Sequence, residues 1–136
     1  MQDYRKIRVW SRAQDLSVLV YRAMELMPED EKDRLVDQLK RAVNSISETI
    51  AEGAGRTSRR DFGRYLRIAL GSTNEVESDL LLCRKLGFLP DDVVNPLIAE
   101  AGEVRRMLVA LIQRVRAQEE PRARSRPTRT PMPDPH

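Results

Sequence analysis

Hydrophobic residues in this chain recur at three- and four-residue steps through four long stretches, the spacing of one buried face on an α-helix. The first stretch runs from about Trp10 to Met27, with Trp10, Ala13, Leu16, Val20, Ala23 and Met27 on one side. It has to stop before Pro28, whose ring and missing N–H are incompatible with a further turn. The second gathers Leu39, Ala42, Val43, Ile46 and Ile50 and ends near Glu52, at Gly53-Ala54-Gly55. Glycine is expected to take the left-handed conformation there and close the helix. A third seam of Phe62, Leu66, Ala69, Thr73, Val76, Leu80 and Cys83 predicts a helix over about Arg59–Leu86. Ser58 stands three residues before Asp61, a capping box with Asp in the place usually held by Glu. Gly87 and Pro90 mark the stop. The fourth helix is expected to start between Asp91 and Asn95, with Pro96 in its first turn. It carries Val94, Leu97, Ile98, Ala101, Val104, Leu108, Leu111, Ile112 and Val115 to about Gln118.

Long helices joined by short connections predict an all-α fold, an antiparallel up-and-down four-helix bundle over residues 9–118. Residues 1–8 form a basic N-terminal arm expected to lie loosely against the first helix. Residues 119–136, rich in proline and arginine with almost nothing apolar, are expected to be a disordered tail. Glu29, Asp30, Glu31 and Asp33 cluster where the second helix begins, and the positive end of its dipole favours acids there. No other acidic motif completes a metal-ligand set.

Composition narrows the chemistry. Aromatic residues are only 4% of the chain, so the core must be aliphatic. The net charge is +3, but the tail holds four arginines against three acids, which leaves 20 basic and 18 acidic residues elsewhere. Any basicity that matters is therefore local. The single cysteine, Cys83, excludes an internal disulfide and lies on an apolar seam, as a buried small hydrophobe does. The single histidine, His136, ends the tail, so histidine acid–base chemistry and Glu-x-x-His bundle metal sites have no residues to use. No catalytic residue, metal or cofactor is expected, and binding is favoured over catalysis. No stretch is apolar enough to span a membrane, and a cytoplasmic protein is expected.

Two surfaces remain. In helical projection Arg60, Arg64 and Arg67 fall opposite the third seam, and Arg56 and Arg59 lie within about three turns of them. Such a patch either solvates the outer face or contacts nucleic-acid phosphates. No aromatic platform or recognition helix is evident, so contact would be to backbone and shape. The alternating Arg122, Arg124 and Arg126 of the tail face the same two readings. The second surface is apolar: Ile68, Leu70, Leu81, Leu82, Met107 and Val109 lie off the main seams, and a helix apolar around most of its circumference is buried on more than one side. Self-association is the natural cover. Trp10 reads as a plug in the core or an interface, and Glu75, off the main seam and near Glu77, as the partner of a cation on a neighbouring helix or subunit.

These residues also carry a resemblance. Val9-Trp10 with Ala13, then Pro28, Gln38-Leu39-Lys40-Arg41-Ala42 with Ser45-Ile46, Ile50-Ala51-Glu52-Gly53 with Arg56, and Phe62 with Tyr65-Leu66, Ala69, Gly71-Ser72 and Glu75 resemble the four-helix-bundle family encoded in intervening sequences of bacterial large-subunit ribosomal RNA genes. The likeness covers roughly Tyr4 to Ala117. It implies a homopentameric bundle of ill-defined cellular role. A similar group is the accessory variability protein of diversity-generating retroelements, a pentamer whose basic surface binds nucleic acid and the reverse transcriptase. Thr49 stands where the family usually has Asn, and Leu70 where it usually has Arg. Without that Arg a family ion pair with Glu75 does not transfer, which leaves Glu52 and Arg41 as candidate partners within the bundle. The expectation is a non-enzymatic homo-oligomer binding RNA or DNA through Arg41, Arg56, Arg59, Arg60, Arg64 and Arg67. The alternative is a protein-interaction scaffold, for example for a reverse transcriptase.

Overall fold

The structure is a computed structural model that describes residues 2–29 and 32–124. Among them are four long helices and no strands: α1 (Arg8–Met24), α2 (Asp37–Ala54), α3 (Arg59–Leu86) and α4 (Asp91–Arg124). Consecutive helices pack side by side and α1 packs on α4, so the four close around one core. Leu16, Val20, Leu39, Ile46, Ile50, Leu66, Leu80 and Leu108 are fully buried in it. That is the aliphatic interior that a shortage of aromatics requires.

The helix limits follow local chemistry, with four departures from the expected pattern. α1 ends at Met24, a turn before Pro28, because the next N–H groups shift to tighter acceptors: Leu26 donates to the Ala23 carbonyl at 2.9 Å and Met27 to that of Met24 at 3.2 Å. The chain enters α2 through a wider π turn at Lys32–Val36, and Asp30 and Glu31 lie outside the described residues. α4 begins at Asp91, which puts Pro96 in the second turn, unable to donate to the Asp92 carbonyl. It also continues past Gln118 to Arg124, through Pro121, which cannot donate to the Ala117 carbonyl. Residues 125–136 of the expected tail lie outside the described residues. The N-terminal arm is tied down rather than loose. Asp3 caps a single 3₁₀ turn at Tyr4–Lys6, Gln2 donates to the Ala54 carbonyl at 2.9 Å, and the Tyr4 and Trp10 rings meet edge-on at 5.0 Å.

α3 keeps its expected limits. Ser58 Oγ accepts the Asp61 N–H at 3.0 Å, and Gly87, at φ +73°, closes the helix as Phe88 donates to the Cys83 carbonyl at 3.0 Å. The hinge before it works differently from the expectation. Gly55 is right-handed, at φ −80°, and Gly53 lies inside α2. Glycine is needed at 53 for space: a Cβ there would stand 2.6 Å from Tyr65 Cβ.

Polar links cross each interface. Ser17 Oγ donates to the Val43 carbonyl between α1 and α2, and Ser45 bonds Ser72 at 2.9 Å between α2 and α3. Glu77 pairs with Arg105 between α3 and α4, and Arg12 with Glu100 at 2.6 Å between α1 and α4. Asp79 is less well served. It is 6% exposed and accepts one bond from Gln38 Nε2 at 2.9 Å, and its Oδ2 has no partner among the described residues. Burial pushes its pKa up, opposed by the Gln38 bond and aided by Glu75. Cys83, one turn on, is fully buried, and burial pushes its thiol up to about 11.

Two expectations test this packing. Gly53→Ala must force α2 and α3 apart, and denaturant titration should show a loss of about 1–3 kcal/mol. Asp79 holds its proton more tightly folded than unfolded, so its contribution to stability falls as pH rises from its ordinary value near 3.8. Asp79→Asn should therefore stabilise the fold at pH 7, on the order of 1 kcal/mol, with a smaller gain at pH 4. Equal gains in melting temperature at both pH values would contradict the assignment.

Candidate nucleic-acid interface

The basic patch is built outward from the α2–α3 close approach. Gly53 lets Tyr65 and the buried Phe62 settle against α2, and the Ser58 cap fixes the rotation of α3. With Phe62, Leu66 and Ala69 inward, Arg60, Arg64 and Arg67 face solvent, and Arg56 and Arg59 are exposed beside them. Arg41 is exposed too but does not join the group. It sits thirteen residues before the end of α2, about 20 Å along the helix.

Tyr65 organises two of these arginines. Its half-buried ring has the guanidinium groups of Arg56 and Arg64 each 4.8 Å from its centre, and its hydroxyl accepts from Arg56 Nη2. Arg56 also reaches Glu52 at 3.3 Å, and Arg64 reaches Asp61 at 3.4 Å. These ion pairs are exposed and add little free energy, but they offset the charge of Arg56 and Arg64 at a distance, so the net positive field of the patch comes from Arg59, Arg60 and Arg67. Arg59, Arg60 and Arg67 make no salt bridge among the described residues. A Cβ on Gly63 would meet Arg67 Nη1 and Val115 Cγ1, each at 3.7 Å, so Arg67 reaches the contact of α3 with α4.

All of this lies at one end of the bundle, where α1 and α3 begin and α2 ends. The opposite end carries the acidic first turns of α2, with Asp37, and of α4, with Asp91 and Asp92.

Sequence periodicity missed Tyr65 as an aromatic platform because it stands at the seam's edge, neither inside nor outside. The ion pair foreseen for Glu75 is made by Glu77 instead, with Arg105 of α4, while Glu75 is exposed. Glu52 pairs with Arg56 rather than Arg41, because one helical turn separates that pair.

The apolar surplus divides. Ile68, Leu81, Leu82 and Val109 are exposed, Ile68 and Leu82 by 46% and 44%. Leu70 and Met107 are half-buried against the core. Leu70 shares the side of α3 from which Glu77 reaches α4, and Met107 lies beside Val9 of α1. Val18, Leu19 and Leu26 on α1 and its following turn, and Leu86, add exposed apolar surface that the seams alone do not reveal. No group of three metal-ligating side chains occurs among the described residues, and none of the described helices is long and apolar enough to cross a membrane.

Residues 5–110 match the model of the 23S rRNA-intervening sequence protein family. A crystal structure of a protein of unknown function from the S23 ribosomal protein family of Bacteroides thetaiotaomicron superposes with a TM-score of 0.72 at 25% identity. The match covers 76% of this chain and 97% of that one. No curated protein matches the chain.

Proposed function

The chain belongs to the 23S rRNA-intervening sequence protein family, and from that premise we propose that it is a non-enzymatic accessory protein, homo-oligomeric, that binds RNA or DNA through its basic outer surface. The observation that supports this most is the set of unpaired arginines, Arg59, Arg60 and Arg67, beside a tyrosine-held pair, Arg56 and Arg64. Arg59, Arg60 and Arg67, exposed and without a carboxylate partner among the described residues, suit a phosphate backbone, which rewards each contact by releasing counterions. Arg41, isolated on α2, adds contact only if a long ligand follows that helix. Repetition of the patch around a homopentamer multiplies its potential, and the exposed Ile68, Leu81, Leu82 and Val109 supply the apolar cover between copies.

Changing Arg60, Arg64 and Arg67 together to Gln should keep the helicity, because none fills the core. It should weaken binding to a structured RNA and a DNA duplex alike and flatten the slope of log affinity against log salt by about 2–3. Fluorescence anisotropy across several salt concentrations reads both quantities. An unchanged slope and affinity would leave the patch as a solvated face. Wild type that binds no nucleic acid but holds a protein partner, such as a reverse transcriptase, insensitively to salt would move the reading to a scaffold.

Leu82→Lys should dissociate the oligomer with helix content intact, as read by native mass spectrometry and circular dichroism. A wild type that stays monomeric at micromolar concentration would remove both the interface and the multiplied patch.

A further inference from the structure

Beyond the arginines of α3, the start of α1 and the later turns of α4 enclose a groove of about 550 Å³. That is within the range of about 300–1,000 Å³ typical of small-ligand sites. Its floor is apolar: Val9 is buried, and Ile7, Met107 and Leu111 are half-buried against the core. Its rim is basic. Lys6, Arg8 and Arg114 are exposed and form no salt bridge among the described residues. The nearby carboxylates are already taken, Glu103 by Arg106 and Glu100 by Arg12.

We propose that this groove seats an unpaired nucleotide of a single strand or loop, with its base on the apolar floor and its flanking phosphates on Lys6, Arg8 and Arg114. The inference rests on the nucleic-acid function proposed for the chain and names the form of ligand which that function leaves open. An apolar floor under a cationic rim calls for an anion with a flat apolar part. A nucleotide has both, and a base paired and stacked inside a duplex cannot offer its face. The groove also lies at the same end of the bundle as the α3 arginines: Arg67 reaches the α3–α4 contact at Val115, one residue from Arg114 in the chain. The chain's own remaining segment, residues 125–136, carries Arg126 and Arg129 against Asp134 and is the wrong charge to fill it.

The test compares a short oligothymidylate with the same strand made abasic throughout, equal in charge and different only in having no bases. Fluorescence anisotropy on the full chain should show the base-bearing strand bound about 5-fold tighter or more, since each stacked base contributes about 1–3 kcal/mol. Ala110 is exposed and lines the groove, so Ala110→Leu fills it without offering a ring for stacking. This variant, and Ala110→Gln as a second filling, should bind both strands alike and bind a duplex as wild type does. If wild type binds both strands equally, the groove holds no base while phosphate contact by α3 stands. If the preference survives both fillings, the base sits elsewhere and the proposal fails. A wild type that binds neither strand nor a duplex overturns both readings. Binding of a peptide alternating Leu and Glu that only the fillings abolish, with the strands indifferent, would assign the groove to a protein instead.

Discussion

The close approach of α2 and α3 at Gly53 governs both the core and the surface of this bundle. With hydrogen as its side chain, Gly53 admits the Cβ of Tyr65 into space that any other residue would occupy. The helices are then near enough for a connection of a few residues, Gly55 to Ser58, and the Ser58 hydroxyl can cap α3 at once. The cap fixes the rotation of α3, and the rotation decides that Phe62 turns in while Arg60, Arg64 and Arg67 turn out. Tyr65, pressed to the seam's edge by the same contact, becomes the ring that gathers Arg56 and Arg64. Core geometry and surface chemistry thus share one cause.

Around the aliphatic core, polar links between the helices act on alignment more than on strength. An exposed or half-exposed ion pair such as Arg12–Glu100 adds little net free energy. Yet it is satisfied in only one sliding position of α1 on α4, and Ser45–Ser72 does the same for α2 on α3. Aliphatic seams alone tolerate slippage by a turn; seams with matched polar pairs do not. Asp79 departs from this pattern, with one buried oxygen left without a partner among the described residues.

What could be read from the sequence was what single residues decide locally. Ser58 and Gly87 bound α3 because a cap needs one hydroxyl and a left-handed stop needs one glycine. The aliphatic seams placed the core because periodicity depends on the helix alone. The features that escaped depend on a neighbour across space. Gly53 was expected to turn the chain and instead admits a facing side chain; the Tyr65 platform needs arginines from two elements; and the rim of Lys6, Arg8 and Arg114 joins two ends of the chain. Leu70 and Met107 looked surplus on their own helices and are half-covered by the next ones. Asp79 gave no signal at all, since a polar residue at the edge of a seam reads as exposed until its neighbours are in place.

The lengthwise division of charge has a mechanical consequence. Arginines crowd the end where α3 begins, and the acidic first turns of α2 and α4 sit at the other, so the bundle is an electric dipole along its own axis. In the field of a polyanion such a body feels a torque as well as a pull. It swings arginine end first, within a screening length of roughly 10 Å at 0.1 M salt, so any polyanion it encounters is met by that end.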